Sequence, residues 1–134
     1  MKIICLSNQG SFAPAEQLTP GDDGSLVYPI VVDQTYDVHG LLIAPNTCHV
    51  LVVVDFKPRW IPIGLFEITN AEMSADWVKV EIEGIPFYDE LHKQSGFTTL
   101  VAYPRLTEDP AHYNGVVNWE PDHLIDFYKE VGLV

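Results

Sequence analysis

Five histidines, His39, His49, His92, His112 and His123, are the residues best suited to metal binding or proton transfer, because imidazole is a good ligand and titrates near neutrality. A tetrahedral zinc site built on the two cysteines, Cys5 and Cys48, would need histidine help. His39 and His49 sit on the two strands of one expected hairpin, but its register sends them to opposite faces, so no metal and no cofactor is expected. His112 and His123 fall among acids near two expected helices, where a surface hydrogen bond is the expected use. Carboxylate pairs occur at Asp22/Asp23, Glu81/Glu83, Asp89/Glu90 and Glu108/Asp109. Acid–base catalysis needs two carboxyls in unlike environments facing one pocket, which sequence neighbours on exposed segments do not supply.

Nucleophilic chemistry is no better served. Ser7, Ser11, Ser74 and Ser95 lie in no nucleophile motif, and Cys5 has only Lys2 nearby to lower its pKa. No catalytic residue is expected, and the remaining chemistry is recognition. Tryptophan serves both as core filler and as interface anchor, which leaves Trp60, Trp77 and Trp119 open to either use. Asp22 and Asp23 on a turn, Asp76 beside Trp77, and Glu81 with Glu83 on the wet side of a strand could present an acidic surface. The partner-binding candidates are therefore Asp22, Asp23, Trp60, Asp76, Trp77, Glu81 and Glu83.

The elements that must position these residues are mostly strands. Residues 2–6 suit a first strand, and 8–28 read as a long loop whose tip is Gly21-Asp22-Asp23-Gly24. The segments 35–43 and 48–56 are dense in β-branched and large apolar residues, and Ala44-Pro45-Asn46-Thr47 between them fits a type I turn. Pairing Ala44 with Thr47 puts His39, Leu41 and Ile43 on one face with Cys48, Val50, Val52 and Val54. The other face then carries Tyr36, Val38, Leu42, His49, Leu51, Val53 and Asp55. Arg59 to Asn70 joins two strand-like halves through Pro62 and Gly64. In 77–83, Val78, Val80 and Ile82 alternate inward against Lys79, Glu81 and Glu83. One core of Val50, Val52, Val54, Leu65, Phe66, Ile68, Val78, Val80 and Ile82 is expected. Pro86 to Gln94 suggests a short helix, Phe97 to Tyr103 a last strand, and Thr107 a cap for a helix entered at Pro110. A final helix from Pro121 should bury Leu124, Ile125, Tyr128 and Val131.

At 134 residues and 47% hydrophobic, the chain has the size of one domain. The reading is an α+β fold in which 1–103 form a small antiparallel β-barrel with the long 7–28 loop, and 104–134 add helices. Seven Lys and Arg against nineteen Asp and Glu give a formal charge of −12. Such a surface repels nucleic acid and anionic membrane and attracts a basic protein. The amino-terminal residues lack the apolar run of an export signal, so reduced cysteines and a cytoplasmic location are expected.

Asn8 and Gly10, Tyr28-Pro29-Ile30, Tyr36-Asp37-Val38-His39-Gly40, Leu65-Phe66-Glu67-Ile68, Ser74 and Trp77 occur in an order that resembles small bacterial immunity-like proteins of polymorphic-toxin loci. Asp33 stands where similar sequences carry glycine. The resemblance implies an SH3-like barrel with a carboxy-terminal helical addition, and an antidote that binds a cognate toxin domain and covers its active or substrate site. It carries over no catalytic residue. The alternative is a non-enzymatic SH3-like regulatory module that binds a peptide or small ligand. An aromatic groove shared by Trp60 and Trp77 would favour that module, and convergent polar side chains in a deep pocket would favour an enzyme.

Overall fold

The computed structural model describes residues 1–18, 22–89, 93 and 96–134. Among the described residues there are eight strands: β1 (Lys2–Cys5), β2 (Thr35–Asp37), β3 (Gly40–Ala44), β4 (Thr47–Val54), β5 (Lys57–Pro62), β6 (Phe66–Asn70), β7 (Val78–Glu81) and β8 (Thr99–Ala102). Helices α1 (Pro104–Glu108), α2 (Pro110–Val117) and α3 (Pro121–Glu130) lie after the last strand. The strands form two antiparallel sheets, ordered β2-β1-β6 and β5-β4-β3-β8-β7. The architecture is α+β.

The β3–β4 hairpin has the expected register, Ala44 opposite Thr47 and Leu42 opposite His49. The strand leading into it does not run unbroken from Thr35. At Val38 the chain passes between sheets: the Val38 N–H donates to the Met1 carbonyl at 3.0 Å, and the His39 N–H donates to the Leu51 carbonyl at 2.8 Å. This break shifts the parity of the side chains. Tyr36 and Val38 join Leu41 and Val50 instead of Leu42, and His39 turns to meet Phe127 edge-on. His49 meets Phe97 edge-on, so the two histidines face the same core, not opposite faces as their spacing suggested. Asp33 adopts φ 70 in the left-handed region, the conformation a glycine there would allow.

Two cores replace the single one expected. Ile3, Cys5, Tyr36, Leu41, Val50, Val52, Val54, Ile61, Leu65 and Phe66 fill the first. Leu42, Leu51, Ile82, Leu100, Tyr103, Leu106, Val116 and Phe127 fill the second, beneath the helices. Strand β4 alternates between them, which is why both of its faces are apolar. Val78 and Val80 are only half-buried, and Ile68 is 46% exposed because β6 is an edge of the smaller sheet.

Several helical expectations change. Thr107 is buried inside α1, where its hydroxyl donates to the Pro104 carbonyl. The cap of α2 is Asp109, whose Oδ1 accepts from the Ala111 and His112 N–H groups at 3.1 and 3.3 Å, with Pro110 at the first helical position. In α3 the buried anchor is Phe127, while Ile125 is 50% exposed. The Pro86–Tyr88 part of the expected short helix is a 3-10 turn, and Asp89 and Lys93 are helical. Residues 90–92, 94 and 95 lie outside the described residues, and with them the rest of that helix and His92. Between α2 and α3, Trp119 takes φ 58 and closes a Schellman motif, its N–H donating to Val116 and that of Glu120 to Gly115. Glycine normally fills this position.

Candidate functional site

The loop acids behave differently from one another. Asp22 is half-buried and pins its loop: Oδ1 accepts from the N–H groups of Gly24 and Leu26, and Oδ2 accepts from the Tyr28 hydroxyl at 2.9 Å. Asp23 faces outward and accepts from the Ser25 N–H and hydroxyl, which hold its carboxyl below the usual range. Their neighbour Gly21 lies outside the described residues. On β7, Glu81 accepts from the Thr99 hydroxyl at 3.0 Å and pairs with Lys79 at 3.2 Å, both of which lower its pKa. Glu83 is exposed in the turn that follows, ahead of Gly84 at φ 84.

Asp76 and Trp77 share a cavity of about 180 Å³ with His39, Ser74, Tyr103 and Glu130. Trp77 is half-buried and packs against both cores, so its ring serves the fold. The polar groups converge, but their hydrogen bonds do not link a nucleophile to a base: the Ser74 hydroxyl donates to Asp76 and Tyr103 is held by His112. Burial lowers the pKa of His39.

Tyr103 begins a hydrogen-bonded chain between residues far apart in sequence. Its hydroxyl is 2.7 Å from Nε2 of His112, whose Nδ1 is 3.1 Å from Nδ1 of His123, and His123 Nε2 approaches Glu120 at 3.9 Å. His112 is fully buried. Burial first, then Arg105 and His123, depress its pKa to about 4, while burial and Glu130 push Tyr103 far above its ordinary value. A neutral imidazole offers one donor and one acceptor, which suits a chain running through His112 in either direction. These shifts leave His112 neutral and Tyr103 protonated at pH 7. The chain fixes how α2 and α3 meet. A Cβ at Gly115 would fall inside the His123 imidazole, so only glycine admits this approach.

The largest opening described, about 520 Å³, is walled by Tyr36, Val53, Phe56 and Tyr128, with Asp37 and Asp55 at its edge. Asp55 and Phe56 form the two-residue loop between β4 and β5 and take φ 51 and 63, a type I′ pattern that asparagine and glycine favour. Phe56 is 82% exposed there.

Trp60 lines a different cavity, of about 210 Å³, with Leu51, Arg59, Val116, Val117 and Trp119. Its Nε1 is buried without a hydrogen bond of good geometry, although it weakly favours the Tyr113 phenolate against the burial that raises that pKa. Lys57 and Arg59 sit over the Trp119 ring at 4.6 and 4.7 Å, and Trp119 Nε1 donates to the Pro58 carbonyl at 2.9 Å. Trp60 and Trp77 thus line separate cavities and build no common aromatic groove. Among the described residues, no group of three or more His, Cys, Asp or Glu side chains is arranged to hold a metal ion, and no helix is long and apolar enough to cross a membrane.

Comparison with protein-family models, with curated proteins and with solved structures finds no match.

Proposed function

We propose that the chain is a noncatalytic binder of a basic protein domain, acting in the cytoplasm as an immunity protein that covers the active or substrate site of a cognate toxin. The charge balance supports this. Lys2, Lys79, Lys93 and Arg105 are already paired with Asp37, Glu81, Asp89 and Asp126, and carboxylates remain in large excess over the other cations. That field would raise the encounter rate with a basic partner more than it would lengthen the complex lifetime. In this reading the two sheets amount to a small SH3-like barrel in which packing across the first core replaces a continuous ladder.

Phe56 is the observation that carries the proposal. A bulky residue in the left-handed region costs roughly 1–2 kcal/mol, and such strain collects at ligand clamps. Here it displays an exposed aromatic ring between a groove and Asp55. Aromatic anchors of this kind supply much of the affinity at protein interfaces. The test is co-expression with the gene immediately upstream. The chain should restore growth and co-purify with that product. Phe56→Gly should fold at least as stably, because glycine accepts the positive φ, yet lose protection. If the upstream product is toxic and the chain neither rescues growth nor binds it, the proposal fails.

A further inference from the structure

Two cations share an aromatic face. Among the described residues Lys57 and Arg59 make neither an ion pair nor a side-chain hydrogen bond, although Asp55 lies two residues from Lys57 on the same hairpin. Both rest on Trp119 instead, and a ring face attracts a cation without supplying an acceptor for its N–H groups. Among the described residues the Arg59 Nε is buried with no hydrogen-bond partner, whereas the Trp60 Nε1 in the same wall lies against the Tyr113 hydroxyl. A buried donor left unpaired is costly, and it marks a place where an acceptor from outside would be held. The cavity between them is walled by Leu51, Val116 and Trp119. Trp119 is fixed in advance by its left-handed backbone and by its bond to Pro58, so little ordering remains for a ligand to impose.

We propose that this cavity binds a small organic monocarboxylate with an apolar body. The carboxylate would take the guanidinium of Arg59, the ammonium of Lys57 over the neighbouring Trp119 ring would add to the attraction, and the body would lie against Trp119, Val116 and Leu51. Arginine presents a planar fork that matches a carboxylate. The space, about 210 Å³, suits one ring or a short chain, and its mainly apolar wall offers too few donors for a phosphate. The site is independent of the immunity reading, since it uses neither the acidic surface nor Phe56.

The test titrates the full chain with sodium benzoate and, as an uncharged isostere, benzamide. Binding is followed by tryptophan fluorescence and by the indole N–H peaks of Trp60 and Trp119 in proton–nitrogen correlation spectra. Benzoate should bind saturably, with about a tenfold preference over benzamide, the difference expected of one partly desolvated ion pair. Arg59→Gln should bring benzoate down to the benzamide affinity without lowering the thermal midpoint. Lys57→Glu should weaken benzoate and leave benzamide unchanged, which keeps the question open to test if Arg59→Gln does not fold. Equal affinity for the two compounds, a preference that survives both substitutions, no saturable shift, or shifts confined to Trp77 would each overturn the proposal. None of these outcomes depends on a protein partner, so failure here is distinct from failure of growth rescue.

Discussion

His112 should make stability fall with acid well before the carboxylates titrate, and His112→Gln should remove that slope. Unfolded, this histidine titrates near its ordinary value of 6.5, and folded near about 4. Between those values the unfolded chain takes up a proton that the folded chain refuses, so stability is complete above pH 6.5 and is lost as pH falls toward 4. At about 1.4 kcal/mol per pH unit, the loss from this one residue reaches about 2 kcal/mol by pH 5. Every charged neighbour bears on the result. Arg105 and His123 disfavour the imidazolium, Asp109 and Asp126 favour it, and burial is the largest single influence. His39 and His49 are also depressed by burial and add to the slope with the same sign, in the wild type and the variant alike. The informative quantity is therefore the difference between the two urea-denaturation curves as pH drops from 7.5 to 5. Glutamine can still give and accept one hydrogen bond each, toward Tyr103 and His123, and any fixed cost of the substitution cancels from that slope. Parallel loss of stability in the two proteins would refute the reasoning.

Gly115→Ala should destabilise by about 2 kcal/mol or more in chemical denaturation despite the better helix propensity of alanine, because the added methyl occupies the space of the His123 ring. Val52→Ala, at a fully buried position of the first core, should cost about 2 kcal/mol, and an unchanged denaturation midpoint would count against β4 as the shared wall. Asp109→Ala should lower the thermal midpoint while Asp109→Asn largely preserves it, since asparagine caps a helix as well as aspartate does.

The central hairpin was legible because its signals are local: β-branched runs on either side of Pro45-Asn46 fix both the turn and the pairing of Ala44 with Thr47. The same residues misled one step earlier, where Val38 and His39 bond to different sheets and reset the alternation that counting had carried through. Local rules cannot see such a transfer. The buried chain was out of reach for the same reason: His112 and His123 are eleven residues apart on separate helices, and only the docking of α2 on α3 makes them neighbours. Asp next to Gly signals an outward turn at Asp22, whereas its carboxylate is consumed by that turn and by Tyr28. Phe56 carried no signal at all, since phenylalanine disfavours the left-handed turn it occupies.

The outer strand β5 has a bearing on how the chain stays soluble while it folds. Its free side would otherwise present a row of amides to any passing strand. Two of its six residues, Pro58 and Pro62, have no amide to offer, and Lys57 and Arg59 add charge along the same stretch. The Pro58 carbonyl is sealed by Trp119 from the turn between α2 and α3. The prolines and charges guard the border without the helices, whereas the seal on Pro58 depends on their docking. Trp119→Phe should leave the border proline-guarded but unsealed, and a faster rise in light scattering during refolding would report the part that the indole bond contributes.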